Sequence, residues 1–261
     1  MGMAYVELPQ PVPLITCLWR RDPQPEPVRR DVLPDACVDI VWVAGQRLFV
    51  AGPATGPTPA GVPAGTAVMG VRFRIGAAGA ALRLPASELL DRTVPLEDVW
   101  GAEGARIEER LGEAAPADQL AALAREVRER LDGELDRTVR AAATAAALPR
   151  TRIDALADSL GIGDRQLRRR FTAAVGYGPK TLQRILRFQR FLALAEAAGD
   201  RAELASLALD AGYADQAHLT RECRRLSGLT PVALLESGAG PAGDGSVPFK
   251  TARLGTASMA A

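Results

Sequence analysis

The first hundred residues carry short apolar runs broken by proline and glycine. CVDIVWV (37–43), RLFVAG (47–52) and AVMGVRFRI (67–75) each end at a turn-forming cluster, which predicts β-strands. Along VMGVRFRI the residues alternate. Val71, Phe73 and Ile75 fall on one face and Arg72 and Arg74 on the other, as in a strand with one buried side. GPATGPTPAGVPAG (52–65) is too rich in Pro and Gly for a helix and reads as a loop. In PASELLDRTVPLEDVWG (85–101), Ser87 is placed to cap a short helix that Pro95 would stop. The period then changes. Leu120, Leu123, Val127 and Leu131 recur at steps of three and four with charged residues between them, which predicts amphipathic helix within 103–148. That apolar face packs either on its own domain or on a second copy of the chain. The alanine run 141–147, followed by Leu148 and Pro149, is the expected domain junction.

Residues 150–236 read as helical and contain a repeat. LADSLG (156–161) aligns with LALDAG (207–212), matching Leu156 to Leu207, Ala157 to Ala208 and Gly161 to Gly212. After one inserted residue, Leu167 matches Leu219, Arg169 matches Arg221, Gly176 matches Gly228 and Pro179 matches Pro231. Two copies are too few for a solenoid. Each copy has the pattern of a helix-turn-helix: a short amphipathic helix (Ile153, Leu156 and Leu160 in the first), a glycine at the turn, and a second helix. In the first copy Leu167, Phe171 and Ala174 face inward, which leaves Arg165, Gln166, Arg168 and Arg169 outward. In the second, Leu219, Cys223 and Leu226 face inward, and Gln216, His218, Thr220, Arg221 and parts of Arg224 and Arg225 face outward.

Arg reads guanine O6 and N7 with two hydrogen bonds, and Gln can read adenine N6 and N7 in the major groove. Cations on the same helix supply phosphate contacts, which give affinity without sequence information. A solvated basic face would look the same in one copy; its recurrence in a second copy favours DNA. Between the copies, KTLQRILRFQRFLALAEAAG (180–199) supplies a broad apolar face with Arg184, Arg187 and Arg190 along another side. A long helix there would set the two reading helices about 34 Å apart, in successive major-groove segments.

Charge agrees with this division. The net charge is +1, but residues 150–236 hold 14 Lys+Arg against 10 Asp+Glu, a net of +4, which leaves −3 for the rest. The half that would meet a polyanion is the C-terminal one. Hydrophobic residues at 48% and charged residues at 24% are ordinary for a globular chain of 261 residues, long enough for two domains. Aromatics at 5% mean that the core is built mainly from Leu, Val and Ala. No stretch approaches the roughly 20 apolar residues of a membrane span. The N-terminal sequence lacks the order of a secretory signal, so a cytoplasmic, nucleoid-associated protein is expected. Cys17, Cys37 and Cys223 fit neither a disulfide framework nor a zinc pattern, and His218 is the single histidine. No cofactor, metal site or Ser-His-Asp catalysis is expected. Residues 237–261 are rich in Gly, Ala, Ser and Pro and are expected to be a disordered tail.

LADSLGIGDRQLRRRFTAAVGYGPKTLQRILRFQRFL and ALDAGYADQAHLTRECRRLSGLTPVAL resemble the two halves of the AraC/XylS-type DNA-binding domain of bacterial transcription regulators, over about 150–236. The resemblance implies base contacts from Arg165, Arg168 and Arg169 in the first unit. In the second it implies contacts from Gln216, Ala217, Thr220 and Arg221, with His218 beside them. Ala217 offers at most a contact to a thymine methyl. Two departures from the family pattern stand out: Gly163 replaces a frequent capping Ser, and Cys223 replaces a usual Phe. PDACVDIVW, VAGPATGP and GVRFRIGAAGAALRLPASELLDRTVPLEDVWG resemble, less specifically, the sensor portion of actinobacterial AraC-type regulators, which implies a cupin-like fold. No metal-cupin ligand set is retained.

The expected class is therefore α+β. A β-rich cupin-like domain with following helices (1–148; β-rich 1–100, helical 103–148) would sense and couple. An all-α domain of two helix-turn-helix units joined by a long helix (150–236) would bind DNA. A pocket in the first domain would be lined by Asp35, Asp39, Arg72 and Arg74 with Trp19 and Trp42 as walls, or these are surface charges and buried tryptophans. Expected partners are double-stranded promoter DNA, with RNA polymerase, a small-molecule effector and a second copy through 103–148 as further candidates. The alternative of another class is a DNA-directed alkyl-transfer or redox-sensing protein using Cys37. Its flanking carboxylates, Asp35 and Asp39, oppose thiolate formation.

Overall fold

The computed structural model describes residues 5–131, 133–148, 151–152, 156–199 and 203–237. Ile153, Pro149 and the tail from 238 onward lie outside the described residues.

Eight strands come first: β1 (Tyr5–Pro9), β2 (Ile15–Arg21), β3 (Val28–Val32), β4 (Asp39–Val43), β5 (Arg47–Ala51), β6 (Thr58–Val62), β7 (Val68–Phe73) and β8 (Thr93–Pro95). Six of them form one antiparallel sheet in the order β1-β2-β7-β4-β5-β8, and β3 pairs with β6 in a separate ribbon. The pairs nest as β4 with β5, β3 with β6 and β2 with β7, the arrangement of jelly rolls and cupins. One sheet face, with Ile40, Trp42, Val50, Val71 and Phe73, packs under helices. The other, with Cys17, Trp19, Val41, Val43 and Val68, meets Val62 of the ribbon.

This double cover corrects two readings. β7 is buried on both faces, because helices lie on one side and the ribbon on the other. The segment 52–65 also contains a strand, β6. Its Pro59 is accommodated because each strand of a two-stranded ribbon has a free edge, where a missing N–H costs no ladder bond.

The helices α1 (Ala78–Leu82), α2 (Leu96–Trp100), α3 (Ala102–Glu113) and α4 (Gln119–Arg130) cover the sheet, together with a 3-10 turn at Ala86–Leu89. Ser87 does not cap that turn, which Pro85 precedes, and Pro95 starts α2 rather than ending a helix. Proline suits such a position because its φ is already set and no N–H is needed there. Leu123 and Val127 of α4 are fully buried with Ile107 and Leu111 of α3 against the sheet. Each such burial contributes roughly 1.5–3 kcal/mol. Leu120 and Leu131 of the same stripe are half-buried and pack against this core.

The remaining helices form another core: α5 (Arg137–Ala147), α6 (Leu156–Ser159), α7 (Asp164–Val175), α8 (Pro179–Ala198), α9 (Leu204–Ala211), α10 (Gln216–Ser227) and α11 (Pro231–Glu236). Val139, Ala142, Ala143 and Ala146 of α5 pack with Phe171 of α7 and Phe188 of α8. The division between cores therefore falls before α5, not at 148, because the alanine face lets α8 approach closely. Asp136 caps α5, accepting from the Thr138 and Val139 N–H groups. Leu33 and Ala36 of the first domain also join this core.

Candidate nucleic-acid interface

The two units are built alike. α6 and α7 form the first, α9 and α10 the second. Gly161 and Gly212 stand at their turns with φ of 65° and 94°, a left-handed conformation that only glycine adopts without strain. Leu167, Phe171 and Val175 anchor α7; Leu219, Cys223 and Leu226 anchor α10. Ala174, predicted inward, is only half-buried. The caps differ. Asp215 accepts from the His218 N–H at 2.6 Å, whereas Gly163 gives α7 no side-chain cap.

Arg165, Gln166, Arg168 and Arg169 are all exposed on the N-terminal part of α7. Gln216, Ala217, Arg221, Arg224 and Arg225 are exposed on α10. Among the described residues, Arg165, Arg168, Arg169, Arg221 and Arg225 enter no ion pair, so their charge is not spent within the fold. Two predicted residues, His218 and Thr220, also have local partners. The His218 ring meets Tyr213 edge-on at 5.2 Å and its Nδ1 accepts from the Ala214 N–H at 3.4 Å, so it braces the turn. The Thr220 hydroxyl donates to the Gln216 carbonyl within the helix.

α8 spaces the units. At 1.5 Å per residue its 20 residues span about 30 Å. The arginines along its other side, Arg184, Arg187 and Arg190, each have a partner within the domain. Arg184 grips Glu222 of α10 through Nε at 2.8 Å and Nη2 at 3.1 Å. Arg187 lies over the Tyr213 ring at 5.5 Å, and Arg190 donates to the Ala147 carbonyl at 2.7 Å. The bidentate fork fixes the angle of α10 on α8. Charge alone did not reveal this role, because Glu222 lies 38 residues away.

The C-terminal domain is docked on the N-terminal domain through α7, α8 and the turn between them. Buried Gln189 of α8 donates to the Pro34 carbonyl at 2.6 Å. Tyr177 is buried in the same core as Leu33 and Ala36. The C-terminal end of α7 meets α1 and the 3-10 turn: a Cβ on Gly176 would stand 2.4 Å from Pro53 Cγ and 3.3 Å from the Ala86 carbonyl oxygen. None of these docking residues had a sequence signal, since each acts across more than 80 residues.

Of the candidate effector residues, the fold brings together Trp19, Asp35, Asp39 and Arg72. Arg72 donates to both Asp39 oxygens, at 3.0 and 2.8 Å, and lies 3.6 Å from Asp35 and 3.4 Å from Glu7. The Trp19 indole N–H donates to Asp39 at 3.1 Å. Trp42 faces the opposite side of the sheet, and Arg74 lies beyond the end of β7, exposed. A two-wall pocket from all six is therefore not formed: alternation puts Trp42 on the helix side, and Arg72 is neutralised by the protein's own carboxylates. Burial pushes the Cys37 thiol well above its ordinary range, Asp35 and Asp39 adding to this against the pull of Arg72. A thiol so held is protonated and a poor nucleophile.

Comparison with known proteins fits this geometry. Residues 9–95 match a family described as a domain of unknown function (DUF6597), and residues 156–237 match one described as a helix-turn-helix domain. No curated protein matches the chain. Solved structures of ToxT from Vibrio cholerae are loosely similar. An apo variant is 10% identical, with 84% of this chain and 96% of that chain covered and a TM-score of 0.44. ToxT bound to (E)-4-(8-methylnaphthalen-1-yl)but-3-enoic acid is 9% identical, with 89% and 98% covered and a TM-score of 0.43. Wild-type ToxT with an unsaturated fatty acid bound is 9% identical, with 84% and 93% covered and a TM-score of 0.41. No helix among the described residues is long and apolar enough to cross a membrane. Residues 156–237 are thus a helix-turn-helix domain of the AraC type, preceded by a β-rich domain from a family without an assigned function.

Proposed function

We propose that this chain is a sequence-specific transcription regulator that reads two adjacent major-groove segments with α7 and α10. The observation that carries the reading is the repeated unit: two glycine turns, each followed by a helix on which Arg165, Arg168 and Arg169 in the first unit, and Arg221 and Arg225 in the second, are exposed with no ion pair among the described residues. Arg165, Gln166, Arg168 and Arg169 in α7, and Gln216, Ala217, Thr220, Arg221 and Arg225 in α10, are the reading and phosphate-contact set. His218 positions the second turn. The β-rich domain acts as the sensor, and its docking on the C-terminal end of α7 and on α8 is the route by which it influences DNA binding. The chain acts by binding rather than by catalysis: Cys37, the one nucleophile of the alkyl-transfer reading, is held protonated.

The test is binding of the purified protein to its own upstream DNA against a shuffled duplex at two salt concentrations. Native preference that survives about 150 mM salt is the expected result; equal binding that collapses with salt means phosphate contacts alone. In the same assay Arg168→Ala is expected to cost roughly 1–3 kcal/mol and to relax preference at one base pair. An unchanged sequence preference would remove Arg168 from the reading set.

A further inference from the structure

One wall of the N-terminal domain is only two short elements thick. α1 and the 3-10 turn stand between α7 and an open cleft. On the α7 side, a Cβ on Gly79 would lie 3.1 Å from the Ala173 carbonyl oxygen, and the Ala86 carbonyl abuts Gly176. On the other side, Leu82 of α1 and Leu89 of the turn line a cleft of about 680 Å³, a size that suits a small organic ligand. Val94, Val99 and half-buried Trp100 continue its apolar wall.

The rim of the cleft has surplus negative charge. Arg130 is already held by Glu103 and Glu126 and lies 5.8 Å over the Trp100 ring. Asp98, Glu129 and the Glu88 carboxylate have no ion pair among the described residues. Arg83 and Arg92 also line the cleft, Arg92 donating to the Glu88 carbonyl at 3.0 Å, and offset these three charges only in part. The turn is also bracketed by strain. Arg83 and Asp91 have φ of 59° and 54°, values that non-glycine side chains disfavour and that recur in switching segments.

We propose that this cleft binds a small amphipathic organic cation, its apolar body on Leu82, Leu89, Val99 and Trp100 and its ammonium group toward Asp98 and Glu129. Occupancy shifts α1 and the turn against the C-terminal half of α7, and so alters how the first unit meets DNA. The purpose of the site rests on the regulator reading; the existence of the site does not.

Trp19 and Trp42 are buried in the sheet, so a change in tryptophan emission on ligand addition reports on Trp100. The full chain, without DNA, is titrated with 2-phenylethylammonium and with 3-phenylpropionate, its anionic counterpart. The expected result is saturable quenching by the amine, with the carboxylate at least about tenfold weaker, a difference of about 1.4 kcal/mol. The signal is lost in Trp100→Phe. Asp98→Asn combined with Glu129→Gln, both at exposed positions, weakens the amine about tenfold or more with the melting temperature unchanged. Hydrogen exchange with bound amine changes in 78–89 and 164–175 and not in 216–227. No saturable response to the amine, equal binding of the carboxylate, a signal that persists in Trp100→Phe, or indifference to the double variant overturns the site. Binding without altered exchange in 164–175 overturns the coupling. Loss of the regulator reading would show separately, as equal binding to upstream and shuffled DNA.

Discussion

The repeat provides an internal control for the docking of the first unit. Gly176 and Gly228 occupy matching positions, each ending its reading helix, with φ of 98° and 76°. Alanine at either site incurs the left-handed backbone cost, about 1–2 kcal/mol. Only at Gly176 does the added methyl meet another part of the chain, Pro53 Cγ at 2.4 Å; around Gly228 nothing lies within 4 Å. The first contact is too short to be absorbed in place, so the loop at Pro53 must move, which typically costs about 1–3 kcal/mol. Gly176→Ala is therefore expected to destabilise by about 2–5 kcal/mol and Gly228→Ala by about 1–2 kcal/mol. Urea unfolding of the two variants measures the difference. Adding Pro53→Ala should recover part of the loss in the Gly176→Ala background and none in Gly228→Ala, because coupling appears only between residues in contact. Equal losses at the two glycines, or rescue of both, would refute a first unit packed on the sensor domain.

The unequal caps make a second comparison. Asp215→Ala removes the bond to the His218 N–H and should cost about 1 kcal/mol, with faster hydrogen exchange at the start of α10 and weaker binding at the second half-site only. Alkaline pH should weaken the fold through its thiols. Burial is the main cause that pushes Cys17 and Cys223 up to about 12. In the unfolded chain a thiol ionises at about 8.5. The folded state thus keeps protons that the unfolded state has lost. The contribution of these groups is complete below about pH 8.5 and falls as pH rises toward 12, by up to about 1.4 kcal/mol per unit for each thiol. Urea midpoints at pH 7.5 and 9.5 should show this slope, and Cys223→Ala should make it shallower; an unchanged slope would mean that Cys223 is not the titrating group.

Local signals made the C-terminal half readable. Glycines at the turns and Leu167, Phe171, Leu219 and Leu226 at helical spacing specify two similar units without help from the rest of the chain. The candidate reading residues were legible for the same reason: exposure on a helix follows from its buried stripe. The N-terminal half was less legible because long-range contacts decide its details. Arg72 reads as a solvent-facing residue until Asp39, 33 positions away, appears beside it on the neighbouring strand. β6 hides in a Pro/Gly segment because its backbone pairing with β3 requires little of its side chains. The alanines of α5 carried no directional pattern, since small residues serve linkers and close helix contacts equally well. The docking through Gln189, Gly176 and Pro34 had no local signature at all.

The position of α5 bears on how such proteins exchange parts. A splice at Leu148, where the sequence suggests a seam, would strip α8 of the alanine face that covers it. A splice in 131–136 keeps α5 with the reading helices, and an incoming sensor must then supply surfaces complementary to them in place of the strap around Leu33 and Ala36, Pro53, α1 and the 3-10 turn. The portable module, whether moved by recombination or at the bench, is the two reading units together with the helix that precedes them.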